Sequence, residues 1–240
     1  MIKIVITRPA EGARGTIELA NQMGFSAIPF PLLELQALNS IKIKRALADY
    51  NWILFTSSNA VRFFITYCGK NRISLPQSFK IAAVGPSTEK TLSSFGLKAH
   101  FLPNTYNRTA ISKQIPVENG DIILYPTLLG GPTRIESILE KRGCITDRLD
   151  IYKSVPIAYQ KDRWHDLATE RPDVLTFFSP RTVQAFFENE QHSFDLKDYV
   201  IAVLAESSAE ELIRFGLSAQ IKTDIPTAEN LLQKIKEYYA

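Results

Sequence analysis

The residues that could do chemistry are concentrated in short polar loops, most of which place serine or threonine directly before a predicted helix. Such a hydroxyl accepts a hydrogen bond from a free backbone N–H at the helix start, and the remaining N–H groups attract anions. Several such loops together predict a site for a molecule with multiple negative groups. For any single loop the alternative is capping alone, which contributes about 1 kcal/mol of stability. The candidates are Thr7, Arg8, Pro9, Thr56, Ser57, Ser58, Asn59, Gly85, Ser87, Thr88, Tyr125, Ser179, Pro180, Arg181, Ser207 and Ser208.

Arginines near these loops could pair with carboxylates of a ligand. Arg8 and Arg181 lie within strand-end loops, which makes them better candidates than Arg62 and Arg134. A solvated surface position is the alternative for each of the four.

Tyr152 is a separate candidate because it lies in an extended segment that both halves of the chain could reach. A phenol has an ordinary pKa of about 10, so it stays protonated at neutral pH and can donate a proton or a hydrogen bond. Packing of a linker tyrosine against a domain edge is the alternative.

Other catalytic arrangements are not indicated. His100, His165 and His192 are scattered and lack metal-ligand spacing, and no glycine-rich phosphate motif is present. Cys68 and Cys144 are interpreted as buried packing residues. An enzyme with this sequence would work by binding and shaping its substrate, without a strong nucleophile, a metal or a cofactor.

The elements that must position these residues follow from an internal repeat at about half the chain length. Its members appear in the same order in both copies, which indicates two similar modules with a ligand site between them. The repeated segments are 55–64 with 177–187, Phe95-Gly96-Leu97 with Phe215-Gly216-Leu217, and Thr109-Ala110 with Thr227-Ala228.

Predicted strands alternate with predicted helices, which favours parallel sheets covered by helices on both faces. The segment 25–35 contains Pro29 and Pro31 and is predicted to be an edge strand or a linker. We also predict a helix over Ile41–Tyr50 and strands over Trp52–Phe55 and Ile122–Tyr125.

The second extended segment, 147–156, suggests that the chain crosses between modules twice. We therefore expect one α/β domain from 1–34 plus 157–240 and another from 37–149. The linker strands, near 30–37 and 150–156, would pair as an antiparallel ladder. Two contiguous halves are the alternative.

Composition gives broad limits on function. The chain has 240 residues, an apolar fraction of 45%, a charged fraction of 22% and a net charge of +3. This mild charge does not favour nucleic-acid binding. With no apolar run of membrane-spanning length and an apolar strand at the start, we expect a cytoplasmic protein without a membrane partner, acting as a monomer.

The ordered motifs resemble the uroporphyrinogen-III synthase family over essentially the whole chain. The matching segments are Ile6-Thr7-Arg8-Pro9, 52–61, 83–88, Ile151-Tyr152, Phe177-Phe178-Ser179-Pro180, Ser207-Ser208-Ala209 and Phe215-Gly216-Leu217, with Thr227 before the last helix. Two departures are Ala205, where the family has glycine, and Glu206, which adds a negative charge beside the site.

The resemblance implies two flavodoxin-like α/β domains, the first discontinuous, joined by a two-stranded linker. It implies a cyclising hydro-lyase that closes hydroxymethylbilane to uroporphyrinogen III in tetrapyrrole biosynthesis, with ring D inverted through a spiro intermediate. Tyr152 would protonate the departing hydroxyl, and Thr227 would join the carboxylate-binding residues. A transient handover from hydroxymethylbilane synthase is compatible with this activity. The alternatives are a hinged anion-binding protein and a diverged synthase that binds tetrapyrrole without converting it.

Overall fold

The computed structural model describes residues 1–76, 79–189 and 196–240 of the chain. It confirms the predicted α/β class, because strands and helices alternate along these residues. The chain divides into unit 1, Met1–Leu35 with Val155–Ala240, and unit 2, Gln36–Ser154.

The first half of the chain contains β1 (Lys3–Ile6), α1 (Ala10–Gln22), β2 (Ser26–Pro29), β3 (Leu33–Ala37), β4 (Trp52–Phe55), α2 (Ser58–Lys70), β5 (Lys80–Ala83), α3 (Pro86–Ser94) and α4 (Arg108–Gln114). The remainder contains β6 (Ile122–Leu128), α5 (Arg134–Glu140), β7 (Ile145–Pro156), α6 (Lys161–Thr169), β8 (Val174–Phe177), α7 (Pro180–Glu188), β9 (Val200–Val203), α8 (Glu206–Arg214), β10 (Ile221–Lys222) and α9 (Ala228–Tyr238). Short 3₁₀ turns occupy Leu47–Asp49 and Leu196–Asp198.

In unit 1 the described strands form a parallel sheet in the order β2-β1-β8-β9-β10. Side chains alternate between its faces, so that Val5 and Leu175 pack on one side while Ile4 and Val174 pack on the other. The chain order reverses between β1 and β8. In doubly wound sheets such a reversal is the switch point where ligands bind, beyond the carboxyl ends of the strands.

In unit 2 the strand order is β3-β7-β6-β4-β5, and a parallel bridge between Ala82 and Phe101 extends the sheet beyond β5. The pairs β7–β6, β6–β4 and β4–β5 are parallel. If β6 is taken as the first strand of unit 2, the order β7-β6-β4-β5 matches the order β2-β1-β8-β9 of unit 1. The chain order of unit 2 then reverses between β6 and β4.

The chain passes between the units through β3 and β7, which are neighbours in one sheet. The Leu38 N–H donates to the Ile151 carbonyl, and the Ile157 N–H donates to the Leu32 carbonyl. From one of these bonds to the other, the residue numbers increase along β3 and decrease along β7, so the two strands run antiparallel. This agrees with the predicted pairing of the two extended segments.

The helix predicted over Ile41–Tyr50 is wrong, since only the 3₁₀ turn Leu47–Asp49 forms there. The segment instead wraps around the buried carboxylate of Asp147. Arg45 Nε donates to Asp147 Oδ2 at 2.9 Å, the Tyr50 hydroxyl donates to the same oxygen at 3.0 Å, and Lys44 Nζ lies 3.3 Å from Oδ1. These tertiary contacts outweigh a local helix propensity that is weak by comparison.

The end of β6 was also predicted wrongly, because the strand continues past Tyr125 to Leu128. Within β6, only Ile123 and Leu124 pair with β4. From Tyr125 onward, the strand pairs only with β7 among the described residues. A proline is tolerated where one side of a strand is unpaired, which explains Pro126 inside the strand.

Candidate functional site

The switch point of unit 1 brings together the loops that follow β1 and β8, because these two strands are neighbours. The first loop carries Thr7, Arg8 and Pro9, and the second carries Ser179 and Pro180. Because β1 and β8 are parallel, both loops leave the same edge of the sheet.

Thr7 and Arg8 have different roles in this loop. Thr7 is buried, and its hydroxyl donates to the Thr176 carbonyl at 2.6 Å, which ties β1 to β8. Arg8 donates to Thr16 Oγ1 at 2.9 Å, and its guanidinium lies 5.0 Å from the centre of the Phe178 ring. Burial lowers the pKa of Arg8. No carboxylate of the described residues pairs with this guanidinium, which leaves it able to bind one from a ligand.

Ser179 caps α7 through a reciprocal pair of hydrogen bonds with Thr182, and Pro180 occupies the first helical position. Arg181 points to Glu188 instead, to which it donates two hydrogen bonds, one of them 3.1 Å long. Arg181 would have to leave Glu188 before it could bind a ligand carboxylate.

The remaining candidates of unit 1 are at the starts of α8 and α9. Ser207 is exposed, whereas Ser208 is fully buried and its Oγ has no hydrogen-bond partner among the described residues. Thr227 caps α9 by accepting from the Asn230 N–H at 3.2 Å. Glu206 forms an ion pair with Lys222, so its charge is balanced within unit 1.

The switch point of unit 2 lies between β4 and β6, and a buried hydroxyl network joins their ends. Thr56 Oγ1 is 3.3 Å from the Tyr125 hydroxyl, and Thr127 Oγ1 donates to that hydroxyl at 3.3 Å. Tyr125 is 1% exposed and packs in the core of unit 2. Tyr125 therefore stabilises the loop at Thr56 from the core side in this structure.

Ser57 and Tyr152 form the centre of this group. Ser57 caps α2 by accepting from the Ala60 N–H at 3.1 Å, and its Oγ lies 3.3 Å from the Tyr152 hydroxyl. Tyr152 is 6% exposed, and its ring stacks on Phe63 at a centroid distance of 4.8 Å. Burial raises the pKa of Tyr152, and it outweighs the lowering by the Ser57 hydrogen bond and by the Arg108 charge. The hydroxyl is therefore protonated at neutral pH.

Neighbouring loop residues complete this edge of unit 2. The Ser58 hydroxyl donates to the Ser87 carbonyl at 3.0 Å, which joins the starts of α2 and α3. Asn59 accepts from Arg62 at 3.4 Å. Thr88 is buried within α3.

Gly85 caps α3 at a position where a side chain would collide with a neighbour. A Cβ on Gly85 would lie 3.0 Å from Tyr106 Cβ. The backbone N–H groups at the start of α3 have no side-chain cap from this position. Glycine at this position therefore allows the loop that carries Tyr106 to approach the start of α3 closely.

The structure refines the internal repeat. Ser57 and Ser179 have nearly identical backbone angles, φ −162° and ψ 153° against φ −163° and ψ 159°. For the later anchor the structural equivalent of Thr227 is Asn107, since both cap a helix and both donate their N–H to the carbonyl two residues earlier. The predicted alignment of Thr109 with Thr227 is therefore off by two residues.

Phe63 and Arg108 were missed by the sequence analysis, although both act on Tyr152. A doublet of phenylalanines in a helix indicates packing, and only the structure shows that Phe63 stacks on a tyrosine far along the chain. Arg108 is the first residue of α4 and follows a loop with no distinctive motif.

Metal and thiol chemistry find no support in the described residues. No group of three or more histidine, cysteine or acidic side chains could hold a metal ion there, and His192 lies outside them. Burial raises the pKa of the Cys68 thiol to about 11 and also raises that of Cys144, so both stay protonated at neutral pH.

No helix within the described ranges is both long and apolar enough to cross a membrane.

Two curated relatives match this chain over more than nine-tenths of their length. A protein of Methanocaldococcus jannaschii, provisionally named uroporphyrinogen-III synthase, is 29% identical over 243 residues and covers 98% of each chain. The uroporphyrinogen-III synthase of Chlorobaculum parvum is 26% identical over 229 residues, 92% of each chain.

Solved structures show the same fold. The crystal structure of uroporphyrinogen-III synthetase from Helicobacter pylori superimposes with a TM-score of 0.68 at 18% identity, covering 99% of this chain and 100% of that one. The family model for uroporphyrinogen-III synthase HemD matches residues 15–233. The chain therefore belongs to the uroporphyrinogen-III synthase family.

Proposed function

We propose that this chain closes hydroxymethylbilane to uroporphyrinogen III, with loss of water and inversion of ring D through a spiro intermediate. Membership of the family supports the reaction class. The observation that carries the proposal within this chain is the protonated Tyr152 hydroxyl, held 3.3 Å from Ser57 beyond the carboxyl end of β4.

The proposed role of Tyr152 is that of a general acid. The hydroxymethyl oxygen of the substrate takes the phenolic proton and leaves as water, and the resulting cation is stabilised by the pyrrole to which it is attached. Burial favours the neutral phenol, so the proton is present when the substrate binds. Since the departure is assisted by the substrate itself, Tyr152 accelerates a step that also occurs without it.

The main task of the protein is to direct the cation to the inverted product. The linear substrate closes spontaneously to the uninverted isomer, so the protein must hold the two ends in the geometry of the spiro route. Pre-placed N–H groups, hydroxyls and cations serve this purpose because they need no rearrangement during the reaction.

Carboxylates of the substrate would bind at the loops of both switch points. In unit 1 we assign this role to the loops around Arg8, Ser179, Ser207 and Thr227, with Arg8 as the main cation. In unit 2 we assign it to the loops that begin α2 and α3, where Ser58 and Ser87 meet. Thr7, Tyr125, Thr88 and Ser208 are buried, and their proposed contribution is to shape these loops.

The two departures from the family pattern do not favour the non-catalytic alternative. Lys222 balances the charge of Glu206, and Ala205 adopts the extended backbone φ −157° that any residue can adopt.

We also propose that the chain acts as a monomer and receives its unstable substrate from hydroxymethylbilane synthase by transient handover. Sedimentation of the two proteins together and apart would test this.

The proposed activity is tested by supplying freshly generated hydroxymethylbilane and separating the oxidised uroporphyrin isomers. Isomer III in excess over a heat-denatured control is expected. A product mixture that matches the control, together with saturable porphyrin binding, would instead identify a binding protein.

A further inference from the structure

A pocket in unit 2 lies where α4 and α5 begin, and apart from Arg108 its lining residues have no part in the site described above. Its walls combine aliphatic and cationic side chains, and none of its lining residues is acidic. The lining residues are Arg108, Thr109, Pro132, Arg134, Ile135 and Ile138.

The two arginines of this pocket are available for a ligand. Both are exposed, and neither forms an ion pair or a side-chain hydrogen bond with any part of the chain that the structure describes. By contrast, the nearby Arg148 is fully engaged, since it donates to Glu136 at 2.8 Å, to Asp150 at 2.7 Å and to the Leu128 carbonyl at 2.8 Å. Glu136 and Asp150 are thus already paired with Arg148, and no ion pair among the described residues neutralises Arg108 or Arg134.

The pocket is connected to Tyr152 by both geometry and charge. The loop that supplies Pro132 and leads into α5 at Arg134 starts at Leu129, whose N–H donates to the Tyr152 carbonyl at 2.8 Å. Arg108 is near enough for its charge to lower the pKa of Tyr152. An anion held by Arg108 would therefore lie close to the proposed proton donor.

We propose that this pocket binds one carboxylate-bearing side chain of the tetrapyrrole. Arg108 and Arg134 pair with the carboxylate, and its methylene groups pack against Ile135 and Ile138. Guanidinium groups suit this role because they bind carboxylates with two parallel hydrogen bonds. The inference rests on the proposed function and adds a specific subsite to it.

Binding of uroporphyrin III, the stable oxidised form of the product, tests the subsite without requiring turnover. The dissociation constant is measured by tryptophan fluorescence quenching for the wild type and for Arg108→Gln/Arg134→Gln, at low and high salt. We expect the double variant to bind about tenfold more weakly at low salt and to show a flatter salt dependence, because screened ion pairs have been removed.

Matched variants separate this effect from loss of charge or fold. Arg72→Gln removes an exposed arginine after the C-terminal end of α2 and should leave the dissociation constant unchanged. Arg108→Lys keeps the charge but loses the two-point geometry, so it should weaken binding by an intermediate amount. Thermal unfolding checks that each variant is folded.

Equal affinity and equal salt dependence in the wild type and the folded double variant would overturn the subsite. If the wild type then still produces isomer III, only the subsite fails. If the wild type produces no isomer III while its porphyrin binding depends on both arginines, the proposed reaction fails and the carboxylate subsite stands.

Discussion

The Tyr152 hydroxyl lies 3.3 Å from Ser57 Oγ, so the candidate proton donor on β7 contacts the residue that caps α2. The contact joins a strand and a helix of unit 2 that are far apart in sequence. Phe63, one turn into the same helix, stacks on the Tyr152 ring and holds it in place. The position of the phenol thus depends on how α2 begins.

Replacement of Tyr152 by phenylalanine tests the proton-donor role. Tyr152→Phe keeps the ring on Phe63 and removes only the hydroxyl, so we expect kcat to fall by about 100-fold, the lower range for general acid catalysis. The dissociation constant for uroporphyrin III should stay within about twofold. An unchanged kcat would remove Tyr152 from the mechanism.

Ser57→Ala should reduce both stability and turnover. Loss of the cap is expected to lower the free energy of unfolding by about 1 kcal/mol, as measured by urea denaturation. Loss of the hydrogen bond to Tyr152 should lower kcat by less than Tyr152→Phe does. If the two residues act together, the double variant will turn over no more slowly than Tyr152→Phe alone, whereas additive losses would show that they act independently.

Asp147 should make the stability of unit 2 sensitive to acid. Burial raises its pKa, but hydrogen bonds from Tyr50, Arg45 and Lys44 outweigh burial, and the net pKa is lowered. The unfolded chain therefore binds the proton more readily, and the contribution is present above about pH 4 and is lost as the pH falls below it. Asp147→Asn should lower the free energy of unfolding at pH 7 by about 2 kcal/mol.

Asp49→Asn is the control for this prediction, because Asp49 is an exposed carboxylate in the same segment. The free energy of unfolding of the Asp49→Asn variant should match that of the wild type at both pH 7 and pH 3. Equal stabilities of Asp147→Asn and Asp49→Asn at pH 7 would show that the ion cluster does not stabilise this segment.

The Glu206–Lys222 pair should keep a negative charge from repelling the substrate. Lys222→Gln leaves Glu206 without its partner, so we expect uroporphyrin III to bind about threefold more weakly at low salt. Glu206→Gln/Lys222→Gln should restore wild-type affinity. If the double variant stays as weak as the single one, Lys222 itself contacts the ligand.

Local patterns were sufficient to predict the features that depend on neighbouring residues. The cap at Ser57 and its repeat at Ser179 follow from a serine placed between an apolar strand and an apolar helix face. The strand over Trp52–Phe55 was predicted with its observed bounds, because a short buried run has few alternatives.

Features set by distant contacts could not be predicted in this way. The segment before Tyr50 has helix-forming residues, but Asp147 holds it in another conformation. Arg181 is a residue of α7 and pairs with Glu188 two turns along the same helix, a contact that its immediate neighbours in sequence do not reveal. Arg108 became a candidate only when the fold placed it near Tyr152.

The central claim is that this chain turns over hydroxymethylbilane with inversion of ring D. The most direct test is to incubate freshly generated substrate with substoichiometric protein, oxidise the products and separate the uroporphyrin isomers. The proposal predicts isomer III as the main product, in molar excess over the protein, with a yield that falls in Tyr152→Phe. Isomer I alone, formed at the spontaneous rate, would contradict it.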